Sequence, residues 1–145
     1  MTEDLDAAAP VGGAFLSRMD VRWGDLDALG HVNNAVYFRY FEEARVRLGV
    51  AIGLFDGTDR TGVLAHASCD FLKPLLYPAR IIVGLKILRL GRTSLELETW
   101  IARADTPEDI YARGRNIFVC ADRATGRPSA WTDADRQALA RCFSV

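Results

Sequence analysis

The sequence predicts an α+β domain in which one long helix packs against an antiparallel sheet. Three observations support this class. A single long helical pattern runs from the asparagines that follow Gly30 to Gly49, a short apolar segment precedes it, and at least four strand-like segments joined mainly by hairpins follow it. The chain has 145 residues, half of them hydrophobic. That length and composition suit one globular domain with a substantial core.

The first predicted elements are a strand and the long helix. Met19 to Trp23 is short, partly apolar and bounded by Gly24, which is typical of a strand that feeds a turn. Asn33 and Asn34 follow as candidate N-caps, because an asparagine oxygen accepts a bond from an early helical N–H. Gly49 is predicted to end the helix, since glycine takes the left-handed cap without strain. One broad apolar face is spaced for burial against a sheet: Val36, Tyr37, Tyr40, Phe41, Ala44 and Leu48.

The strands come after the helix. From Val63 to Leu72 the odd positions are small or apolar, which predicts a strand with one buried face. Arg80 to Leu90 and Thr93 to Arg103 are the next two strands, and Gly91 between them favours a type II′ hairpin turn. Ile110 to Ala121 is the last strand.

The two ends of the chain differ in character. Residues 1–13 carry three acidic side chains, three alanines, a proline and two glycines, and we interpret them as a loose tail ahead of a single domain at 14–145. Thr132 and Asp135 resemble a capping box. They open a short amphipathic helix that carries Ala138, Leu139, Cys142 and Phe143.

Composition argues against several classes of partner. The net charge is −1 and the pI is near 6.1, which does not favour nucleic acid or an acidic membrane surface as a partner. No apolar run approaches the ~18 residues of a membrane span, and the first residues do not form a signal peptide. The three cysteines lack the spacing of metal ligands. We therefore expect a cytoplasmic protein.

The stretch from Trp23 to Asn34 joins a carboxylate pair, a glycine turn and a helix start. Aspartates just before a helix are most often caps or turn formers, and we favour that role for Asp25. A metal site built from Asp25, Asp27 and His31 is conceivable, but closely spaced turn residues need not converge on an ion. We therefore predict no metal and no cofactor.

A family signature is visible in this stretch. Residues 25–34 read Asp-Leu-Asp-Ala-Leu-Gly-His-Val-Asn-Asn, followed by Tyr37 and by Glu-Ala-Arg at 43–45. This pattern resembles the signature of the 4-hydroxybenzoyl-CoA thioesterase family, whose members have the hotdog fold, a long central helix wrapped by a curved antiparallel sheet. Segments 70–75 and 122–128 are similar to further family segments, so the match keeps the expected order over much of the chain.

The resemblance implies hydrolysis of an acyl-CoA thioester to the free acid and CoA. In the family the second aspartate of the pair carries the chemistry, and that position here is Asp27. A backbone N–H at the start of the long helix polarises the thioester carbonyl; by alignment on Gly30 it is that of Asn34. The resemblance also implies a homodimer, often paired into a homotetramer, with active sites at the subunit boundary.

The chemistry of these residues supports the same roles independently. A thioester carbonyl develops negative charge as it is attacked, and a helix N-terminus offers free N–H donors with roughly half a positive charge. A carboxylate across the carbonyl can attack it directly or deprotonate a water, and the sequence leaves both routes open.

Four further residues are candidates for substrate contacts. Tyr37 lies near the helix start, and His66 lies on the polar side of its strand. Arg89 and Arg92 flank the Gly91 turn and are natural partners for the phosphates of CoA. Each also has an ordinary interpretation: a core tyrosine, a histidine that satisfies a buried bond, and solvated arginines.

Two other functions stay open at this point. The same fold could serve as a non-catalytic module that binds acyl-CoA or acyl carrier protein. A hotdog dehydratase or hydratase generally uses an aspartate and a histidine several residues apart, an arrangement that Asp25, Asp27 and His31 do not reproduce well. The acyl group is undetermined, because pocket depth depends on side chains from several elements.

Overall fold

A computed structural model describes residues 13–143. The predicted tail at 1–13 lies outside the described residues except for Gly13. In chain order the elements are β1 (Phe15–Asp20), a 3-10 turn (Trp23–Asp25), α1 (Asn34–Ala51), β2 (Arg60–Phe71), β3 (Arg80–Leu90), β4 (Ser94–Arg103), β5 (Thr106–Asp122) and α2 (Asp133–Cys142).

The five strands form one sheet in the order β1-β3-β4-β5-β2. Every pair of neighbours is antiparallel, and consecutive strands from β3 to β5 are joined by short turns. The sheet has β1 and β2 as its two edges. One long helix with an antiparallel sheet is the predicted α+β class, which the structure confirms.

The core lies between α1 and one face of the sheet. The predicted apolar stripe of α1 is buried from Tyr37 to Leu48, with Val36 partly covered. Fully burying one such aliphatic or aromatic side chain contributes about 1.5–3 kcal/mol, so the helix is fixed mainly by this stripe. Alternate residues of β3 and β4 supply the opposite wall: Ile81, Val83, Leu85, Leu95, Leu97 and Ile101.

The start of α1 follows the prediction, whereas its end does not. Asn33 is the N-cap, and its side-chain oxygen accepts the amide of Ala35 at 3.0 Å. The predicted cap at Gly49 is wrong, because the helix continues to Ala51. A Cβ at Gly49 would lie 2.4 Å from the ring of Phe55, so this glycine serves close packing. The left-handed residue comes later, at Gly53 with φ +76°.

The prediction of the first strand is also wrong. The strand is Phe15–Asp20 rather than Met19–Trp23, and it pairs with β3. Trp23–Asp25 forms a 3-10 turn in which Trp23 is exposed. The apolar residues at 19–23 therefore divide between the end of a strand and a turn.

The β3–β4 connection differs in detail from the prediction. Both strands lie where they were expected. The two-residue type II′ turn is wrong, since three residues connect the strands and the amide of Gly91 donates to the carbonyl of Ser94 at 2.8 Å. Gly91 does not have the positive φ that a type II′ turn requires at its first central position.

Strand β2 is an edge strand without a fully buried face. Its predicted alternation is interrupted by a register shift between Leu64 and His66. Val63, Leu64 and Phe71 are each more than 40% exposed. The predicted buried face is therefore wrong for the single chain, because apolar alternation alone does not reveal that a strand lies at an edge.

Helix α2 is attached to the start of β2. The predicted capping box is present: Thr132 accepts the amide of Asp135, and Asp135 accepts that of Thr132. The Asp135 carboxylate, 2% exposed, also accepts two bonds from the Arg60 guanidinium. Burial raises the pKa of Asp135, but the bonds and charge of Arg60 together with the Thr132 amide outweigh burial and hold the pKa below its usual value.

Candidate active site

Asp27 lies in a tight turn that Gly30 closes. The Asp27 carbonyl accepts the amide of Gly30 at 3.1 Å, and the Asp27 amide donates to the carbonyl of His31 at 2.7 Å. Gly30 has φ +80°, a conformation that favours glycine. Leu26 and Val32 form a β-bridge across the base of the turn. The predicted glycine turn is therefore confirmed.

The carboxylate of Asp27 is oriented by the backbone of its own turn. Its Oδ1 accepts the amides of Leu29 at 2.8 Å and of His31 at 3.2 Å. Within residues 13–143, Oδ2 accepts no hydrogen bond, and the residue is exposed. One oxygen is thus held while the other is free to act as a base or a nucleophile.

The N-terminus of α1 follows this turn directly. The Asn33 side chain accepts the amide of Ala35, and its carbonyl accepts that of Val36 at 2.8 Å. Among the described residues, none accepts a hydrogen bond from the amide of Asn34. This N–H lies at the positive end of the helix dipole. Such a donor can stabilise an oxyanion that develops on a bound carbonyl.

Asp25, the other aspartate of the pair, faces inward. It is 6% exposed, and its Oδ2 accepts the amide of Arg22 at 2.9 Å and the hydroxyl of Tyr40 at 2.7 Å. Burial, the hydrogen bond to Asp25 and the charge of Asp25 raise the pKa of Tyr40. Asp25 therefore has the structural role that the sequence favoured.

Tyr37 fastens the start of α1 to the segment after β2. Its hydroxyl oxygen accepts the amide of Leu75 at 3.1 Å, and the Leu75 carbonyl accepts the amide of Val32 at 2.9 Å. The Tyr37 ring is 1% exposed and meets the ring of Phe71 edge-on at 5.0 Å. In the single chain Tyr37 is a core residue, and its hydroxyl is linked through Leu75 to Val32, just before the N-cap of α1.

The other three candidate contacts do not converge on Asp27 within one chain. Arg89 pairs in register with Glu96, which alternates with buried Leu95 and Leu97 and so lies on the face of the sheet away from α1. His66 lies on the same outer face. The register runs from Arg89 to Glu96 on the neighbouring strand, then to Ile117 on the next strand and to His66 on the edge strand.

Arg92 lies at the far end of the molecule from the helix tip. It is exposed in the β3–β4 turn, and its carbonyl accepts the amide of Trp131 at 2.9 Å. Trp131 in turn lines a small internal gap with Leu48 and Ile52, in and just after the last turns of α1. Contacts of Arg92 with a substrate at Asn34 of the same chain would have to span the length of α1.

Apolar side chains are exposed around the helix tip. Leu29 is 79% exposed, and Phe38, which contacts Phe71, is 37% exposed. Leu72 and Leu76 continue this exposed group after β2. An apolar surface next to free polar groups is typical of a binding or subunit interface.

Two results concern metals and membranes. No group of three or more His, Cys, Asp or Glu side chains within 13–143 is arranged to hold a metal ion. Neither helix of the described range has the length and apolarity to cross a bilayer.

One long helix packed against a five-stranded antiparallel sheet is the hotdog architecture, and the comparisons agree. Residues 21–139 match the model of the Thioesterase-like superfamily, so the chain belongs to that family and has its hotdog fold. The PA2801 protein of Pseudomonas aeruginosa is 36% identical, with a TM-score of 0.80 over 86% of this chain and 97% of that one.

Two further proteins show the range of relatives. A thioesterase of Thermus thermophilus, solved with coenzyme A and zinc, is 34% identical with a TM-score of 0.75 over 90% of this chain and 94% of that one. The chloroplastic acyl-acyl carrier protein thioesterase ATL2 of Arabidopsis thaliana is 27% identical over 121 residues, 80% of this chain and 64% of that protein. These likenesses support a thioesterase.

Sequence reasoning missed the role of Tyr40. Its spacing assigned it to the apolar face of α1, and the structure does bury it. A buried tyrosine hydroxyl usually finds a partner. Asp25 is an acidic turn residue just ahead of the helix start. A buried tyrosine hydroxyl that needs a partner and a nearby carboxylate together could have predicted the Asp25–Tyr40 hydrogen bond.

Proposed function

We propose that the protein is an acyl-CoA thioesterase that uses the Asp27 carboxylate opposite the amide of Asn34. The observation that carries this proposal is a free N–H at the tip of α1 that directly follows a turn whose aspartate has one carboxylate oxygen fixed and one available within the described range. The family supports thioester hydrolysis as the reaction type. The resemblance of the Asp27 turn to the 4-hydroxybenzoyl-CoA thioesterase signature supports CoA as the carrier.

The proposed chemistry has two routes. In both, the thioester carbonyl oxygen accepts the Asn34 N–H, which stabilises the negative charge of the tetrahedral intermediate. In one route Asp27 removes a proton from water, whose oxygen attacks the carbonyl carbon and expels the CoA thiolate. In the other, Asp27 attacks the carbon itself and expels the CoA thiolate, and water then hydrolyses the resulting mixed anhydride to the free acid and restores the Asp27 carboxylate. Both consume one water and yield the acid and CoA.

We propose that two or four copies assemble and complete the site between them. The apolar side chains exposed at the helix tip and the unpaired edge of β2 support this assembly. A second copy can also bring His66, Arg89 or Arg92 toward a substrate that the same chain does not reach. His66, Arg89 and Arg92 remain proposed substrate contacts on this basis, whereas Tyr37, which is 1% exposed, is proposed to support the helix tip from within the core.

We also propose that the enzyme works in the cytoplasm without a cofactor. All three cysteines, Cys69, Cys120 and Cys142, are free thiols, as expected in a reducing compartment. Burial raises the pKa of Cys69 to about 11, so this thiol is a poor nucleophile.

The test is thiol release from a panel of short, long and aromatic acyl-CoAs, followed with a thiol reagent. We expect hydrolysis of at least one substrate class, and a loss of about 10²–10⁴-fold in kcat for Asp27→Asn. Asp59→Asn, which changes an exposed loop carboxylate at the start of β2, is the matched control and should retain the wild-type rate.

The alternative outcomes are distinct. Stable binding of acyl-CoA without thiol release would favour a binding module on the same fold. Thiol release from acyl-acyl carrier protein but not from acyl-CoA would instead favour an acyl-acyl carrier protein thioesterase, the activity in the name of the Arabidopsis relative. Full activity of Asp27→Asn would overturn the proposed role of this carboxylate.

A further inference from the structure

Asp25 connects the turn that carries Asp27 to two levels of α1. Its side chain accepts the Tyr40 hydroxyl from the second turn of the helix at 2.7 Å. Its carbonyl accepts the amide of Asn33, the N-cap, at 2.9 Å. Asp25 thus fastens the residues before Asp27 to the same helix whose first N–H is the proposed oxyanion donor.

The Asp25–Tyr40 bond is placed to be strong. Tyr40 is 5% exposed and Asp25 is 6% exposed, so water competes little for either group. Hydrogen bonds to a charged group are about twice as strong as those between neutral groups. The Arg22 amide occupies the same carboxylate oxygen at 2.9 Å, and the Arg22 guanidinium lies 3.6 Å from the other.

Asp27 has no comparable anchor of its own. Its side chain accepts hydrogen bonds only from Leu29 and His31 within the same turn, among the residues that the structure describes. The turn is therefore rigid internally, but its placement relative to the helix depends on its two ends. The Leu26–Val32 bridge joins these two ends; Asp25 lies just before Leu26, and the chain after Val32 continues into the N-cap.

We propose that Asp25 and Tyr40 are positioning residues that set the Asp27 carboxylate relative to the Asn34 amide. This inference rests on the proposed function, since it concerns the same site. A displacement of about 1 Å between reacting groups can cost roughly 10²-fold in rate. Loss of the Tyr40 hydroxyl should consequently reduce kcat while leaving the surfaces that bind the substrate unchanged.

The first test compares kinetic constants for an acyl-CoA that the wild type hydrolyses. We expect Tyr40→Phe and Asp25→Asn each to lower kcat by about 10–100-fold with KM changed by less than about twofold. The double variant should fall little below the worse single variant, because both changes act on the same bond: Phe removes its donor, and Asn replaces its charged acceptor by a neutral one.

Trp131→Phe is the matched control. It also removes one hydrogen bond of a largely buried aromatic side chain, from the indole N–H to the Ser94 carbonyl at 3.1 Å, but at the α2 end of the fold. It should lower the melting temperature while kcat stays near wild type. Wild-type kcat in Tyr40→Phe, with the bond lost, would overturn the positioning role.

A second measurement does not depend on activity. The amides of Leu29 and His31 report on the Asp27 turn, and we expect their hydrogen exchange to be at least about 10-fold faster in Tyr40→Phe than in wild type. If the wild type releases no thiol, the proposed function fails, and unchanged exchange would overturn the positioning proposal separately. If Tyr40→Phe does not fold, Asp25→Asn, which keeps an acceptor oxygen, serves for both measurements.

Discussion

At the scale of single residues, Asn33 joins the turn to the helix through three groups. Its amide donates to the Asp25 carbonyl, its side chain accepts the Ala35 amide, and its carbonyl accepts the Val36 amide. Asn34 beside it is exposed and makes no side-chain hydrogen bond within the described residues. The two adjacent asparagines therefore have different roles. Asn33 supports the helix start with its side chain, whereas Asn34 contributes only its backbone.

Replacing Asn33 by Ala should therefore destabilise the protein more than the same change at Asn34. Loss of an N-cap side chain typically costs about 1 kcal/mol, whereas Asn34→Ala should change the free energy of unfolding by only a few tenths. Urea denaturation of both variants measures the difference. Equal losses in the two variants would contradict the assigned cap.

The local structure of the candidate site, a turn and a capped helix start, was predictable from the sequence. The order of Asp27, Gly30 and Asn33 along a few residues was enough to predict a turn followed by a capped helix. The Asp25–Tyr40 bond spans fifteen residues, and it depends on how the turn folds back over the helix. The placement of His66, Arg89 and Arg92 depends on the register of four strands, which sequence spacing does not encode.

At the scale of elements, helix α2 depends on a buried ion pair. Arg60 from β2 and Asp135 from α2 are bonded through both oxygens of the carboxylate. The side chain of Asp135 is 3% exposed and that of Arg60 24%. Breaking a buried pair by removing one partner costs about 3–5 kcal/mol, and the partial exposure of Arg60 places the expected loss at the lower end.

Asp135→Asn should consequently destabilise the protein by about 3 kcal/mol at neutral pH. The pKa of Asp135 is lowered in the folded state, so its charge stabilises the fold above the unfolded pKa of about 3.9 and ceases to do so as pH falls through the folded pKa. The difference in unfolding free energy between wild type and variant should shrink below about pH 4. A difference that grows toward acid would contradict the assigned pair.

The elements were predictable to different degrees for physical reasons. Strand β3 matched residue for residue, since its dense run of branched residues lies between a proline segment and a glycine turn. The end of α1 did not match, because Gly49 accommodates the Phe55 ring instead of a left-handed cap. The sequence shows a glycine in both cases, and only the tertiary contact distinguishes a glycine needed for close packing from one that caps a helix.

At the scale of the whole molecule, β2 leaves one edge of the sheet unpaired within the described residues. β2 bonds to β5 on one side only, and apolar side chains from Val63 to Phe71 are exposed beside it. Unpaired edges of this kind are covered in native proteins by charges, by other elements or by another subunit.

Val63→Lys should weaken self-association if a second copy covers this edge. A lysine there introduces a charge that pairing would have to bury. The control is Leu88→Lys, which changes a side chain of similar exposure, 48% against 47%, on the interior strand β3. Sedimentation velocity at micromolar concentration should show wild type and control as dimers or tetramers and Val63→Lys shifted toward monomer. A monomeric wild type would contradict the shared site.

The register shift at Ala65 has a consequence for solubility. It divides the unpaired edge of β2 into a stretch of five residues, Arg60 to Leu64, and one of six residues, His66 to Phe71. Fibrils of the amyloid type grow from flat, uninterrupted segments of about six or seven residues stacked in line. The first stretch is shorter than such a segment, the second only reaches its lower limit, and a bulge increases the local twist of a strand. The register shift therefore disfavours fibre growth from this edge even though apolar side chains face the solvent.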